Sequence, residues 1–182
     1  YTTLFRSNSG YQTGAGAPGL SDPAYDPFVV AVGGYDTAGT PVRTDDYVGS
    51  YSASSVGCSL CRAPDFVAPG SHIEGLRVEN SYIDVNHPEG QLGARHFRGS
   101  GTSQAAAMTS GAAALLLQKN PTLTPDMVKK VLKANATNPA AWPGPLAGAG
   151  ELNLDAVANY NTKALFDSKG KFLYPQNFPA ST

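Results

Sequence analysis

Ser103 stands behind a turn of small residues, Gly99-Ser-Gly-Thr102, and opens a long apolar run that begins Gln104-Ala-Ala-Ala-Met108. A hydroxyl at the mouth of a helix serves as a cap or, with a base beside it, as a nucleophile. The base is the difficulty, because His72, His87 and His96 are the chain's three histidines and all precede the serine. Three arrangements of serine chemistry bear on this. The strand–turn–helix elbow Gly-x-Ser-x-Gly is approached by Gly101-Thr102-Ser103-Gln104-Ala105, but Arg95 to Ser100 is too polar for its buried strand, and no histidine follows. The order His, Asp, Ser lacks the surroundings its serine requires. The order Asp, His, Ser, with the serine at a helix N-terminus, fits. A dinucleotide-binding loop fails, since Gly99-x-Gly101 lacks a third glycine and a preceding strand.

Other reactive residues point less far. Cys58-Ser-Leu-Cys61 has no second pair to complete four zinc ligands. A thioredoxin-like pair should open a helix, yet Pro64 follows closely and the surroundings read as loop. A local disulfide and two free thiols both remain open. Asp45-Asp46 reads as a solvated loop pair rather than a coordinating one, and no metal site is identified. Asn135-Ala136-Thr137 is a formal glycosylation sequon on a helix.

These residues must be positioned by one domain or most of one: the 182 residues are 41% hydrophobic, 15% charged and carry a formal net charge of −1. That charge gives no electrostatic case for nucleic acid or an anionic membrane as partner. The longest apolar stretch, Gly111 to Leu117, is far too short to span a bilayer. No signal peptide is visible and the chain does not begin with Met, so its compartment is not read from its start.

Residues 11–27 read as loop. Phe28 to Gly33 is a continuous apolar run with β-branched residues, the mark of a strand buried on both faces. Tyr47 to Ser55 alternates weakly and suggests a further strand. Phe66-Val67-Ala68 forms an apolar core between prolines, and residues 71–100 are polar and mostly irregular. The helix after Ser103 is apolar all round, which predicts burial on every side, and Asn120-Pro121 ends it. A second helix starts with Thr124 as cap and Pro125 in first position; it turns Met127, Val128, Val131 and Leu132 inward, and Lys129, Lys130 and Lys133 outward. Gly148 to Leu154 reads as a turn into a short strand and Asp155 to Tyr160 as a short helix. Residues 161–182 hold a hairpin around Lys169-Gly170 and a proline-containing tail. Strands interleaved with helices indicate an α/β domain, and no repeat is visible.

Gly101-Thr102-Ser103-Gln104-Ala105-Ala106, followed by Ser110-Gly111-Ala112-Ala113-Ala114-Leu115, resembles the serine-helix motif of subtilisin-like serine proteases. Four further pieces agree in order. Asn8-Ser9-Gly10 resembles the family's Gly-Asn-x-Gly segment. Pro23-Ala24 with Val29 to Gly33 resembles its Pro-Ala…Val-Ile-x-Val-Gly strand. Ser52-Ala53-Ser54 with Pro64 to Gly70 resembles Ser-Ser…Pro-Asp-x-x-Ala-Pro-Gly, and Gly148-x-Gly150-x-Leu152-Asn153 resembles the closing Gly-x-Gly-x-Leu-Asn. The resemblance covers about residues 8–160.

The resemblance implies an α/β, subtilisin-like three-layer sandwich with a mostly parallel sheet and its N-terminal part missing. It implies that Ser103 is the acyl-forming nucleophile, with its own backbone N–H aimed at the developing oxyanion. Asn8 would supply the side-chain donor of the same oxyanion hole. One such donor carries roughly 3–4 kcal/mol of transition-state stabilisation in a member of this very family, a known magnitude rather than one obtained for this chain. The family's Asp and His precede the position of Asn8, so both catalytic partners are expected outside this chain. His72, His87 and His96 lie in the wrong region and are expected at the surface. A serine without its base is a weak nucleophile, so the chain alone is expected to hydrolyse nothing measurable.

Tyr1 to Ser7 fit the family's buried strand poorly, with Arg6 where a small residue is expected. The string TACACGACGCTCTTCCGATCT, a common sequencing-adapter sequence, encodes these residues, so residues 1–7 are expected to be adapter read-through. Residues 8–160 are then the C-terminal part of the peptidase domain and 161–182 an extension or linker; processing into two chains is the alternative. Gln104 replaces the family's usual Met and Ala107-Met108 its usual Pro-His, with local repacking expected. Residues 71–100 are longer than a minimal member needs, which could shape substrate entry or be a plain surface loop. The expected function is serine endopeptidase activity on protein or peptide substrates, completed by the missing N-terminal half. The rival is a catalytically inactive domain serving as a binding or structural module. Family members often bind calcium, but no ligands are identified here and no cofactor is expected. Secretion or display at the cell surface is implied by the family alone.

Overall fold

The computed structural model describes residues 3–5, 8–10, 19–58 and 60–173. The expected loop at 11–18 and the tail beyond 173 lie outside the described residues. The central strand is β2 (Val30–Asp36), which pairs in parallel with β1 (Thr3–Phe5) on one edge and with β4 (Phe66–Pro69) on the other. The two-residue strand β3 (Tyr47–Val48) joins antiparallel to the end of β2. The strand expected over Tyr47 to Ser55 is confined to these two residues, because Gly49 and Ser52 turn the chain away. Beyond β4, Glu151 bridges in parallel to Val67 and antiparallel to Thr137, so the strand expected near Gly148 to Leu154 reduces to isolated bridges.

The sheet carries layers on both faces, as its alternation demands. Phe66 and Ala68 of β4 join Val32 in a core shared with α2 (Thr102–Lys119) and α3 (Pro125–Ala134). Val67, one residue out of phase, packs with Tyr35, Val48 and Ala147 beneath Trp142 and Leu146. Ala147 ends α4 (Gly144–Ala147), a turn of helix the sequence reading did not anticipate.

Helix α2 lies on β1, β2 and β4. It buries Thr102, Ala105, Ala106, Thr109, Ala112 and Leu116, a single face at helical spacing. The expectation of burial on every side is therefore corrected: Ala107, Met108, Gly111, Ala114 and Leu115 face outward, with Leu115 60% exposed. Alanine covers both faces, so composition could not separate the packed face from the open one. Thr109 and Ser110 return their hydroxyls to the carbonyls of Ala105 and Ala106, which allows polar residues inside the helix.

Thr124 caps α3 through the Met127 N–H with Pro125 in first position, as read from the sequence. Lys129 departs from expectation: it is buried, its ammonium donating to the carbonyls of Pro27 and Val29. The short helix α5 (Leu154–Ala158) and a hairpin closed by Asp167 and Lys171 follow as expected.

Residues 71–100 are not irregular. They form an antiparallel sheet of β5 (Ile73–Leu76), β6 (Gln91–Leu92) and β7 (His96–Gly99), with α1 (Tyr82–Asn86) at the tip. Asp84 organises that tip. Its carboxylate accepts from Arg77 Nε at 2.6 Å and Nη2 at 3.1 Å, from the Asn80 N–H and from Gln91. The Arg77 bond, first among the causes, holds the Asp84 carboxyl below its ordinary range.

Cys58 and Cys61 are joined as a disulfide, which leaves no free thiols. Asp46 is buried, against the expectation of a solvated pair, whereas Asp45 is exposed and takes the Thr40 hydroxyl. Glu151 is fully buried; its Oε2 accepts from Arg43 Nε at 2.9 Å and Nη2 at 2.6 Å. Its Oε1 is without a partner among the described residues, and burial pushes its carboxyl above the ordinary value while Arg43 pulls it down. Burial, then the neighbouring Glu151 and Asp46, pushes the Tyr35 hydroxyl up to about 12.

Candidate active site

Ser103 is the second residue of α2 and is exposed. Gly101 is the N-cap and has no side chain to offer, so the first N–H groups of the helix need other partners. Asn8 meets one of them. Its Oδ1 accepts from the Thr102 N–H at 3.0 Å and from the Thr102 hydroxyl at 2.9 Å. Because an N–H can only donate, the atom facing it must be the carboxamide oxygen, which fixes the orientation of the amide. The Nδ2 amine therefore points away from Thr102 and has no hydrogen-bond partner among the described residues. The Ser103 N–H likewise has none among the described residues. Two unused donors thus stand around the start of α2, where the helix dipole adds positive potential.

Close approach depends on two glycines. A Cβ on Gly101 would lie 3.1 Å from Asn8 Nδ2 and 3.0 Å from Gln104 Oε1, so any side chain there presses on the amide. Gly10, at φ +76, donates its N–H to the Tyr51 carbonyl at 2.9 Å, and a Cβ there would sit 2.6 Å from Ser50 O. Gly101 in turn donates to Gly70 O at 2.7 Å, which ties the helix start to the end of β4. Asn8 and Ser103, 95 positions apart by their numbers, are joined through Thr102, a residue the sequence reading gave no role. The sequence signal is a threonine immediately before a helix-heading serine; its full burial in spite of its hydroxyl is seen only in the structure.

The three histidines stand elsewhere. His72 is exposed with Nδ1 3.3 Å from Asp36 Oδ2, His87 is exposed with Nδ1 3.1 Å from Glu89 Oε1, and His96 is exposed on β7. None bonds to Ser103 among the described residues. The small sheet formed within residues 71–100 borders the site. A cavity of about 690 Å³ runs between its apolar side (Ile73, Leu76, Ile83 and Phe97) and Gln104 and Met108 of α2. Among the described residues no group of three or more His, Cys, Asp or Glu is placed to hold a metal ion.

The subtilase family profile matches residues 7–165. The serine protease AprX of Bacillus subtilis (strain 168) is 39% identical over 137 residues, which cover 75% of this chain and 31% of that protein. Subtilisin DY of Bacillus licheniformis is 31% identical over 155 residues, covering 75% of this chain and 49% of its own length. The crystal structure of fervidolysin from Fervidobacterium pennivorans, described as a keratinolytic enzyme related to subtilisin, superposes with a TM-score of 0.61 at 28% identity. That match covers 83% of this chain and 23% of fervidolysin. The prenylagaramide maturation protease PagA gives 0.58 at 28% identity, over 85% of this chain and 48% of its own. The chain thus spans about a third of AprX and about half of subtilisin DY.

Proposed function

The chain belongs to the subtilase family and has its α/β, subtilisin-like fold, and from that premise we propose that it carries the serine side of a serine endopeptidase active site. Ser103 is the nucleophile. Deprotonated by a histidine from outside this chain, its hydroxyl attacks a peptide carbonyl, and the carbonyl oxygen becomes an oxyanion. The Ser103 N–H and the Asn8 Nδ2 donate to that oxyanion, the amine leaves with a proton from the histidine, and water then releases the acyl group. The observation that carries this reading is the double anchoring of Asn8 Oδ1 on Thr102, which leaves the amide's donor end unused beside Ser103. Pre-oriented donors of this kind cost no reorganisation when charge develops.

The base is supplied by the N-terminal half of the same domain, together with its aspartate. The outward apolar face of α2 around Met108 and Leu115 supports that reading, since soluble proteins rarely leave such stripes uncovered. Secretion or surface display is the proposed location, supported by the Cys58–Cys61 disulfide, which persists in oxidising compartments. Among the described residues no helix is long and apolar enough to cross a membrane.

The test is a fluorophosphonate probe applied to this chain alone and to the domain completed with its upstream half. Labelling of Ser103 in the completed domain only, abolished in Ser103→Ala, is the expected result. Peptide cleavage by the chain alone that disappears in Ser103→Ala refutes the dependence on an outside base. An unlabelled, inert completed domain refutes the enzyme in favour of a binding or structural module.

A further inference from the structure

Backbone carbonyls of the segment before β2 turn inward toward one buried carboxylate. The carbonyls of Ala24 and Asp26 each accept from Arg62 Nη1 at 2.5 Å, and that of Val29 accepts from Arg62 Nη2 at 3.1 Å. The carbonyls of Pro27 and Val29 accept from Lys129 Nζ at 2.7 and 2.8 Å. Asp65, 4% exposed, meets the same two cations: its Oδ2 lies 2.9 Å from Arg62 Nη2 and 3.2 Å from Lys129 Nζ. The Ala31 N–H donates to that oxygen at 2.9 Å, and Lys133 reaches Oδ1 at 3.3 Å from the half-exposed rim.

Inward-facing carbonyl oxygens around a carboxylate repel one another and need positive charge among them. Such an all-oxygen donor set is the kind a hard cation takes. Here the charge comes from the chain itself. The Lys129 ammonium is pushed below its ordinary range by burial and pulled back by Asp65, as a cation replacing solvent with carbonyl dipoles should be. Arginine suits the central position because its planar fork reaches acceptors along several directions at once. Calcium, which resemblance to the family suggests, does not fit this cage, because the guanidinium and the ammonium already fill it.

We propose that Arg62 and Lys129 are resident cations that stand in for a metal ion, so that the 24–29 segment is held without calcium, and that removing the Arg62 side chain turns the cage into a divalent-cation site. The inference concerns the stability of the chain and does not depend on the protease reading. It is tested by thermal melting of the purified chain in excess EDTA and in millimolar CaCl2. The wild-type melting temperature is expected to be the same in both. Arg62→Ser is expected to melt about 5–10 °C lower in EDTA, with CaCl2 recovering part of the loss and MgCl2 recovering less. Arg62→Lys, which keeps a cation, guards against outright misfolding of the serine variant; it is expected to fold, melt between the two and ignore EDTA. A wild-type chain that loses stability in EDTA and regains it with calcium overturns the proposal. So does an Arg62→Ser variant that melts as the wild type does, or one whose loss no calcium concentration reverses.

Discussion

Arg43→Met leaves a buried charge alone. Glu151 is fully buried, its Oε1 has no partner among the described residues, and its Oε2 accepts from two nitrogens of the Arg43 guanidinium, which also donates to the Thr137 hydroxyl. Breaking a buried ion pair by removing one partner costs about 3–5 kcal/mol. Arg43 is 42% exposed, however, so water screens its side of the pair, and about 2–3 kcal/mol is the figure to expect after that discount. For a chain of this size the melting temperature should fall by roughly 4–12 °C at neutral pH. The sign of the pH dependence follows from Glu151. Its carboxyl titrates above the ordinary 4.5 in the folded chain, so the fold binds its proton more tightly than the unfolded chain does. Stability therefore falls as pH rises through the window just above 4.5, and more steeply once Arg43 no longer opposes the shift. Differential scanning calorimetry at neutral pH and near 4.5 reads both effects, with Arg43→Met/Glu151→Gln as the control, because the neutral amide strands no charge. A loss of the same size at both pH values, or no recovery in the double variant, refutes the buried-charge argument.

Thr102→Val keeps the backbone donor to Asn8 and deletes the hydroxyl, a bond worth about 1 kcal/mol; in the completed domain kcat should fall about five-fold with KM unchanged. An unchanged kcat would mean that the amide is held without it. Phe66→Ala, at a fully buried ring between β4 and the helices, should cost about 3–5 kcal/mol in a urea titration. Acid should loosen the insertion tip selectively. The Asp84 carboxyl titrates below its ordinary 3.8, so the stability it contributes is present above that value and is lost as pH falls through the lower folded value. Amide exchange over residues 77–91 should quicken there, and Asp84→Asn should remove the pH dependence.

Much was legible along the chain because it rests on local chemistry. The cap and proline at Thr124-Pro125, the stop at Asn120-Pro121, the short helix near Asp155 and the apolar runs of β2 and β4 depend on residues within a few positions of one another. The candidate site was legible as two residues, Asn8 and Ser103, through ordered motifs, and the surface position of the three histidines followed from their place in that order. Residues 71–100 were not legible. Their sheet is held by Asp84 bridging Arg77, Asn80 and Gln91, contacts that leave no periodic trace in a polar segment.

The sequence by itself determined which groups are available: a hydroxyl at a helix mouth, a carboxamide far upstream, a histidine supply in the wrong place. Tertiary structure alone decided their relations. Only folding sets the Asn8 oxygen on Thr102 and so turns the donor end outward, because hydrogen-bond direction belongs to distance and angle rather than to spacing in the chain. Only packing chose which face of an alanine-rich helix is covered, and only packing drew Lys129 from an expected solvent face into a cage of carbonyls. Side-chain composition does not distinguish a lysine in water from one whose charge the backbone solvates.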